Sequence, residues 1–396
     1  KGNWRMQRME KFDARDIAEK IMEAIQKEYK ELKTLNVMIL GKTGVGKSTL
    51  INNMFNKKLV ETGIGKPVTH RIEKIAKPDF PLAIYDTPGL ELSGENSINT
   101  LLEEVVSEID KGIKSGDVGK AIHCIWYCIS TPSHRFEQAE IDFLKKFLEK
   151  TSEYDVPVII VLTQSYSDPD TESLMKEIKK ENLPVVNIVP VLAENYDINE
   201  KCTVKAYGLD RLSEIMNCVI PDVVQKTFVA VQKVNLELKK GRAQAVVATS
   251  AVAAAAMGAV PIPFSDAAVL VPEQIAMLGG ITAVFGIPIE KGTITAIVSA
   301  TIGTAGTTVL GKTIVANLIK FIPGIGSVAG SVISGSTAAT LTVALGEAYI
   351  IIMTMIYKGE LSVSELSSDK GKKEITRIFT DRLKMKRDKN GEVIAN

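Results

Sequence analysis

The segment Gly41-Lys42-Thr43-Gly44-Val45-Gly46-Lys47-Ser48 constrains this chain more than any other. It lies between the apolar run Leu35 to Leu40 and a helix-like run from Thr49 to Phe55, and its spacing is GxxxxGK[ST]. Glycines at Gly41, Gly44 and Gly46 let successive backbone N–H groups turn inward around phosphates. Lys47 then reaches the β- and γ-phosphates, and the Ser48 hydroxyl ligates Mg²⁺. Thr43, Val45 and Thr49 complete the cradle. Such a loop needs a strand ahead of it and a helix behind it, so the surrounding chain reads as an α/β domain.

The pattern beyond the loop agrees. Arg71 to Ala76 and Pro81 to Tyr85 read as strands and Ile98 to Ile109 as a helix. Ala121 to Ile129, Phe136 to Leu148, Val156 to Leu162, Leu174 to Lys180, Val185 to Val191 and Leu209 to Cys218 continue the alternation. Near-continuous apolar strands alternating with helices call for a mainly parallel sheet covered on both faces. Ligands in such sheets sit at the carboxyl ends of the strands, where the loop motifs fall.

A second motif, Asp86-Thr87-Pro88-Gly89, follows the strand ending at Tyr85. Its carboxylate can hold Mg²⁺ through water, and the Gly89 N–H can touch a γ-phosphate, so the following segment would respond to hydrolysis. Between the motifs, Gly65-Lys66-Pro67-Val68-Thr69 is a candidate switch. Thr69 would give its hydroxyl to Mg²⁺ and its N–H to the γ-phosphate, with Thr62 as a competitor.

Together these residues make the chain resemble the Era and TrmE side of the translation-factor-like GTPases over about Leu35 to Cys218. The likeness includes Ser48-Thr49-Leu50-Ile51-Asn52 after the loop and Tyr207-Gly208-Leu209-Asp210-Arg211-Leu212, which looks like the opening of that group's last helix. It implies a Mg²⁺-dependent GTP/GDP switch. Members of the group read guanine with [NT]KxD, whereas this chain has Thr163-Gln164-Ser165-Tyr166-Ser167-Asp168. Thr163 fits, Gln164 stands for the lysine, Tyr166 holds the aspartate position, and Asp168 reaches the base only in a loop two residues longer. In Val191-Leu192-Ala193-Glu194 only Ala193 matches the group's Ser-Ala-Lys turn. Leu90, directly after Gly89, cannot orient an attacking water as a glutamine does. The loop asparagine that binds K⁺ in TrmE-like proteins corresponds to Gly44. Slow turnover follows, with a homodimer or an activating partner completing the site.

The chain has 396 residues, enough for two or three domains, and a net charge of +1, so no polyanion-binding field arises and nucleic acid is not an expected partner. Cys124, Cys128, Cys202 and Cys218 form no CxxC pair and have no His at zinc-ligand spacing. They read as reduced, packed thiols of a cytoplasmic protein. The charged opening and the absence of a short apolar run before a small-residue cleavage site argue against a secretory signal.

Residues 1–34 carry an amphipathic helix or helix pair whose apolar stripe packs on later helices or on a membrane or partner. Residues 35–220 form the GTPase-like domain and 221–358 a hydrophobic, Ala/Gly-rich helical domain, with Pro221 to Lys240 as a linking helix. Ala243 to Ser265, Gln274 to Ile289, Gly292 to Gly311 and Phe321 to Gly346 contain no charged residue. Their length permits membrane spans, but their small-residue content weakens insertion. Pro261-Ile262-Pro263-Phe264-Ser265-Asp266-Ala267, Gln274 with Met277, and Phe321-Ile322-Pro323-Gly324-Ile325-Gly326 resemble the domain of unknown function typified by YcjF-like bacterial membrane proteins. That implies bacterial origin and association with the inner face of a membrane. The architecture also resembles interferon-inducible immunity GTPases and, more distantly, dynamins. In the tail, 359–396, Ile375, Ile378, Phe379 and Leu383 share a face amid basic residues. That helix lies on anionic lipid or packs on the body.

Overall fold

The computed structural model describes residues 14–60, 72–88, 95–133, 136–258, 266–302, 335–366, 368–384, 386–387 and 393–394. Thr62, Thr69, Gly89, Leu90, Pro261 to Ser265 and Phe321 to Gly326 lie outside them. The chain divides into two compact units, Leu32–Leu238 and a helical unit made of Lys1–Glu31 with Lys239–Asn396.

The first unit is built on six strands: β1 Leu35–Leu40, β2 Glu73–Lys77, β3 Phe80–Asp86, β4 Cys124–Ser130, β5 Val158–Thr163 and β6 Asn187–Pro190. Their order is β2-β3-β1-β4-β5-β6, with β2 antiparallel to β3 and every other pair parallel. This is the α/β fold that the alternation requires. All six residues of β1 and of β5 are buried, as expected of strands covered on both sides. Val37 and Ile39 face a core with Leu50 and Met54 of α2 (Lys47–Met54) and Leu212 and Met216 of α6 (Leu209–Val219). Met38 and Leu40 face the opposite core, shared with Leu102 and Val105 of α3 (Glu95–Lys114), Phe143 and Phe147 of α4 (Gln138–Thr151) and Leu174 of α5 (Asp168–Lys180). Phe55 and Trp126 stack in parallel beneath α2, with ring centroids 6.0 Å apart.

Two local readings change. Pro221 to Lys240 is not one linking helix. Helix α7 (Asp222–Val231) buries Val224, Phe228 and Val231 in the α2-side core, and the chain then breaks before α8 (Leu236–Gly258). The Gln232 side chain makes that break, accepting from the N–H groups of Val234 and Asn235 and donating to the Asn235 carbonyl, each at 2.8 Å. A side chain that supplies turn hydrogen bonds competes with the helix ladder, a signal apolar periodicity does not carry. The structure also adds a hairpin, β7 (Tyr196–Asn199) with β8 (Cys202–Val204), where no strand was expected.

In the helical unit α1 (Ala14–Glu31) packs on α9 (Asp266–Phe285) and α10 (Lys291–Ile302). Its apolar stripe, Ile17, Ile21 and Ile25, is buried there. The approach of α1 to α9 is close: a Cβ at Gly279 would lie 2.6 Å from that of Ala24. Helix α11 (Gly335–Tyr357) packs on α9, followed by α12 (Val363–Leu366) and α13 (Asp369–Lys384), which packs on α10 and α11. Ile375, Ile378 and Phe379 of the basic tail helix are buried, so that face covers the body. Among the described residues one helical stretch, Ala338–Tyr357, is long and apolar enough to cross a membrane, with a mean hydropathy of 1.8, and about half of it is buried within the protein.

Candidate functional site

The phosphate loop leaves β1 at Leu40 and enters α2 at Lys47, so its geometry follows from sheet and helix rather than from the loop alone. Gly41 has φ +142, and a Cβ there would meet the Cys128 carbonyl oxygen at 2.5 Å, so strand β4 leaves no room for a side chain. Gly46, at φ +91, is the left-handed residue that turns the chain into α2. Lys47 folds back over the loop, its Nζ donating to the carbonyls of Gly41 at 2.7 Å and Lys42 at 3.0 Å. Burial lowers its pKa, opposed by the nearby carboxylate of Asp86.

Asp86 ends β3 beside Lys47. Burial raises its pKa, Lys47 opposes the shift, and its Oδ1 is buried without a hydrogen-bond partner. The adjoining Thr87 is fixed to β1, its hydroxyl donating to the Ile39 carbonyl at 2.9 Å. A carboxylate oxygen without a donor, next to the hydroxyl-bearing first turn of α2, suits a hard divalent cation that keeps several waters. Ser48 and Asp86 therefore fit Mg²⁺. No group of three His, Cys, Asp or Glu side chains able to hold a metal occurs among the described residues.

Lys42, second in the loop, pairs with Glu137 at 2.9 Å and Glu140 at 3.1 Å, tying the loop to the start of α4. Burial lowers the Lys42 pKa, but the two carboxylates outweigh it and the net shift is upward. The motif reading gave Lys42 no partner, because Glu137 lies almost a hundred residues away in sequence.

From β5, Thr163 donates its hydroxyl to the carbonyls of Val45, at 2.5 Å, and Ile129, at 3.1 Å. Gln164 has a left-handed backbone, φ +55, and its side chain bridges to the loop. Its Oε1 accepts from the Ser130 hydroxyl at 3.1 Å and its Nε2 donates to the Gly44 carbonyl at 3.3 Å. It thus spans the loop as an amide rather than as a cation. Next to it opens a cavity of about 340 Å³, lined among others by Gly46, Thr49, Thr163, Gln164, Tyr166 and Ala193. Tyr166 and Tyr196 stack on its wall, ring centroids 4.2 Å apart and 9° from parallel.

Asp168 is not among the residues lining the cavity. It opens α5, with Pro169 in the first turn where the missing N–H costs nothing. Glu194, Asn195 and Tyr196 do line the cavity; of these the sequence had marked only Glu194, as a mismatch to the Ser-Ala-Lys turn. Cys124 and Cys128 are buried and their thiols pushed up to about 12 by burial, whereas Cys202 and Cys218 are exposed rather than packed.

The family described as 50S ribosome-binding GTPase matches residues 36–187, which hold the loop, Asp86 and the Thr163 strand end. Those residues form a P-loop GTPase domain. Its relatives are distant. GTPase Era of Pseudomonas fluorescens is 31% identical over 47% of this chain and 55% of its own length. Neuronal-specific septin-3 of Danio rerio is 26% identical over 39% of this chain and 47% of its own. The chain spans about half the length of these curated relatives. Toc33 from Arabidopsis thaliana, solved in complex with Mg²⁺ and GMPPNP, aligns with 54% of this chain and 92% of its own at 17% identity and a TM-score of 0.32. Beyond the matched residues lie β7, β8, α6 and α7 of the first unit and the whole helical unit.

Proposed function

We propose that the chain binds GTP and GDP with Mg²⁺, hydrolyses GTP slowly, and uses the nucleotide state to control its hydrophobic helical region. The observation that carries this reading is Lys47 laid over the phosphate loop beside the partnerless Oδ1 of Asp86. Phosphate oxygens would draw Lys47 away from the carbonyls of Gly41 and Lys42 and supply the charge that loop and lysine lack. Ser48 and Thr69 would hold Mg²⁺ directly and Asp86 through water, the cation neutralising charge on the β- and γ-phosphates. Thr69 and Gly89 would sense the γ-phosphate through their N–H groups. Water attacks the γ-phosphorus and the bond to the β–γ bridging oxygen breaks, giving GDP and phosphate. Leu90 cannot position that water, so a second copy or an activating partner supplies the missing group.

In the same reading residues 221–358, a region with YcjF-like sequence features, engage a membrane surface or a partner at the cytoplasmic side. The apolar stretch Ala338–Tyr357 supports it. The primary test is Lys47→Ala in the full chain, read by displacement of a fluorescent GDP analogue. We expect binding to fall below detection, and unchanged affinity would remove the phosphate-loop reading.

A further inference from the structure

We propose that Glu194 is the carboxylate that reads the nucleobase and selects guanine in this chain. The inference rests on the nucleotide-binding reading above. It addresses a gap that the structure leaves open: Tyr166 stands where an aspartate would serve, and Asp168 does not line the cavity.

Among the residues lining the cavity, Glu194 is the single carboxylate. Its position is built. Oε1 accepts from Asn53 Nδ2 at 2.9 Å, and the same Nδ2 donates to the Thr49 carbonyl at 2.9 Å, so the side chain is referenced to the helix that carries the phosphate loop. The backbone on either side is pinned as well. Leu192 and Tyr207 exchange two N–H to carbonyl bonds, at 3.0 and 2.9 Å, and Asn195 Oδ1 accepts from the Ala206 N–H at 2.9 Å. Oε2 makes no hydrogen bond to the described residues, which leaves an acceptor on a residue that lines the cavity.

Guanine carries two adjacent donors, N1–H and the exocyclic N2 amine, and a carboxylate accepts from both at once. Adenine turns a bare N1 lone pair to the same oxygens, so it meets repulsion and leaves a charge unpaired. The stacked Tyr166 and Tyr196 give the base a π surface that does not distinguish purines. Selection therefore falls to Glu194, while Gln164, bridging Ser130 and Gly44, shapes the floor.

Displacement of N-methylanthraniloyl-GDP from the full chain by GDP, ADP and xanthosine diphosphate tests this. The wild type is expected to prefer GDP to ADP by about 100-fold or more, as a site built for a base N–H should. Glu194→Gln exchanges one acceptor for a donor, matching xanthine, which has a carbonyl where guanine has its amine. GDP should weaken about tenfold or more and the xanthine nucleotide should strengthen. Glu194→Ala should lose guanine preference without gaining xanthine. Wild-type ratios in both variants, equal wild-type binding of GDP and ADP, or a guanine-to-xanthine switch in Asp168→Asn instead would each overturn the proposal. A wild type that binds none of the three would sink the nucleotide-binding reading, and this inference with it.

Discussion

The Thr163 hydroxyl lies 2.5 Å from the Val45 carbonyl and donates to it, joining the strand end beside the base cavity to the phosphate loop. Both ends of a nucleotide would thus be referenced to one bond. Thr163→Val keeps the shape but leaves the Val45 and Ile129 carbonyls without that donor, at a cost of about 1–3 kcal/mol. We expect a lower melting temperature and GDP affinity reduced about tenfold, with Thr163→Ser close to wild type. Calorimetric titration of the two variants separates these outcomes.

Lys42 holds two carboxylates of unequal burial, for Glu140 is 3% exposed and Glu137 53%. Removing the cation strands the buried Glu140 charge, so Lys42→Met should cost about 1–3 kcal/mol, a value below that of a fully enclosed pair because Lys42 itself meets solvent. Glu137→Gln should cost under about 1 kcal/mol. Equal losses in urea melts would show that burial does not set the difference.

Lys239 predicts a pH dependence. It is fully buried in the helical unit, donates to the Val284 carbonyl at 3.1 Å, lies 5.9 Å from the centre of the Tyr357 ring, and has its pKa pulled by burial down to about 7. The unfolded chain keeps this proton to about 10.5, so between those values it binds more protons than the folded one. Stability should rise with pH across that window, by at most about 1.4 kcal/mol per unit. Burial raises Tyr349 and Tyr357 to about 12, which reverses the trend above about pH 10. Denaturant melts from pH 7 to 9.5 should therefore climb, and Lys239→Met should flatten them. A flat wild-type profile would contradict the burial argument.

If Leu90 leaves the water unpositioned, turnover per molecule should increase with protein concentration, since the missing group comes from a second copy. Phosphate release followed over a hundredfold dilution series tests this. High activity that does not change on dilution would point to a catalytic group already within one chain.

Membrane engagement should make flotation with anionic liposomes differ between GDP and a non-hydrolysable GTP analogue. Failure to float in either state would leave the helical unit as a protein-binding module.

The sheet was legible because its strands are apolar runs and its loops carry glycine and acidic punctuation. Thus Leu35 to Leu40, the phosphate loop and Asp86 could be placed by spacing alone. The base cavity was not. Glu194 acquires its role from Asn53, far away in sequence, and Tyr196 from β7, a four-residue strand exposed along its whole length and too short for its Tyr-Asp-Ile-Asn alternation to mark it. Gln232 hid the end of α7 for a related reason, because a turn made by one side chain leaves the surrounding hydrophobicity unchanged.

The contact of α1 with α9 and α10 has a consequence for synthesis of the chain. Roughly 235 residues separate Glu31 from Asp266, so at typical elongation rates α1 leaves the ribosome about 10–50 s before its partner helix is made. Meanwhile the phosphate-loop unit, continuous in sequence, can fold first. The nascent chain therefore carries Ile17, Ile21 and Ile25 as an uncovered apolar stripe, and a chaperone or membrane surface could meet it before α9 does.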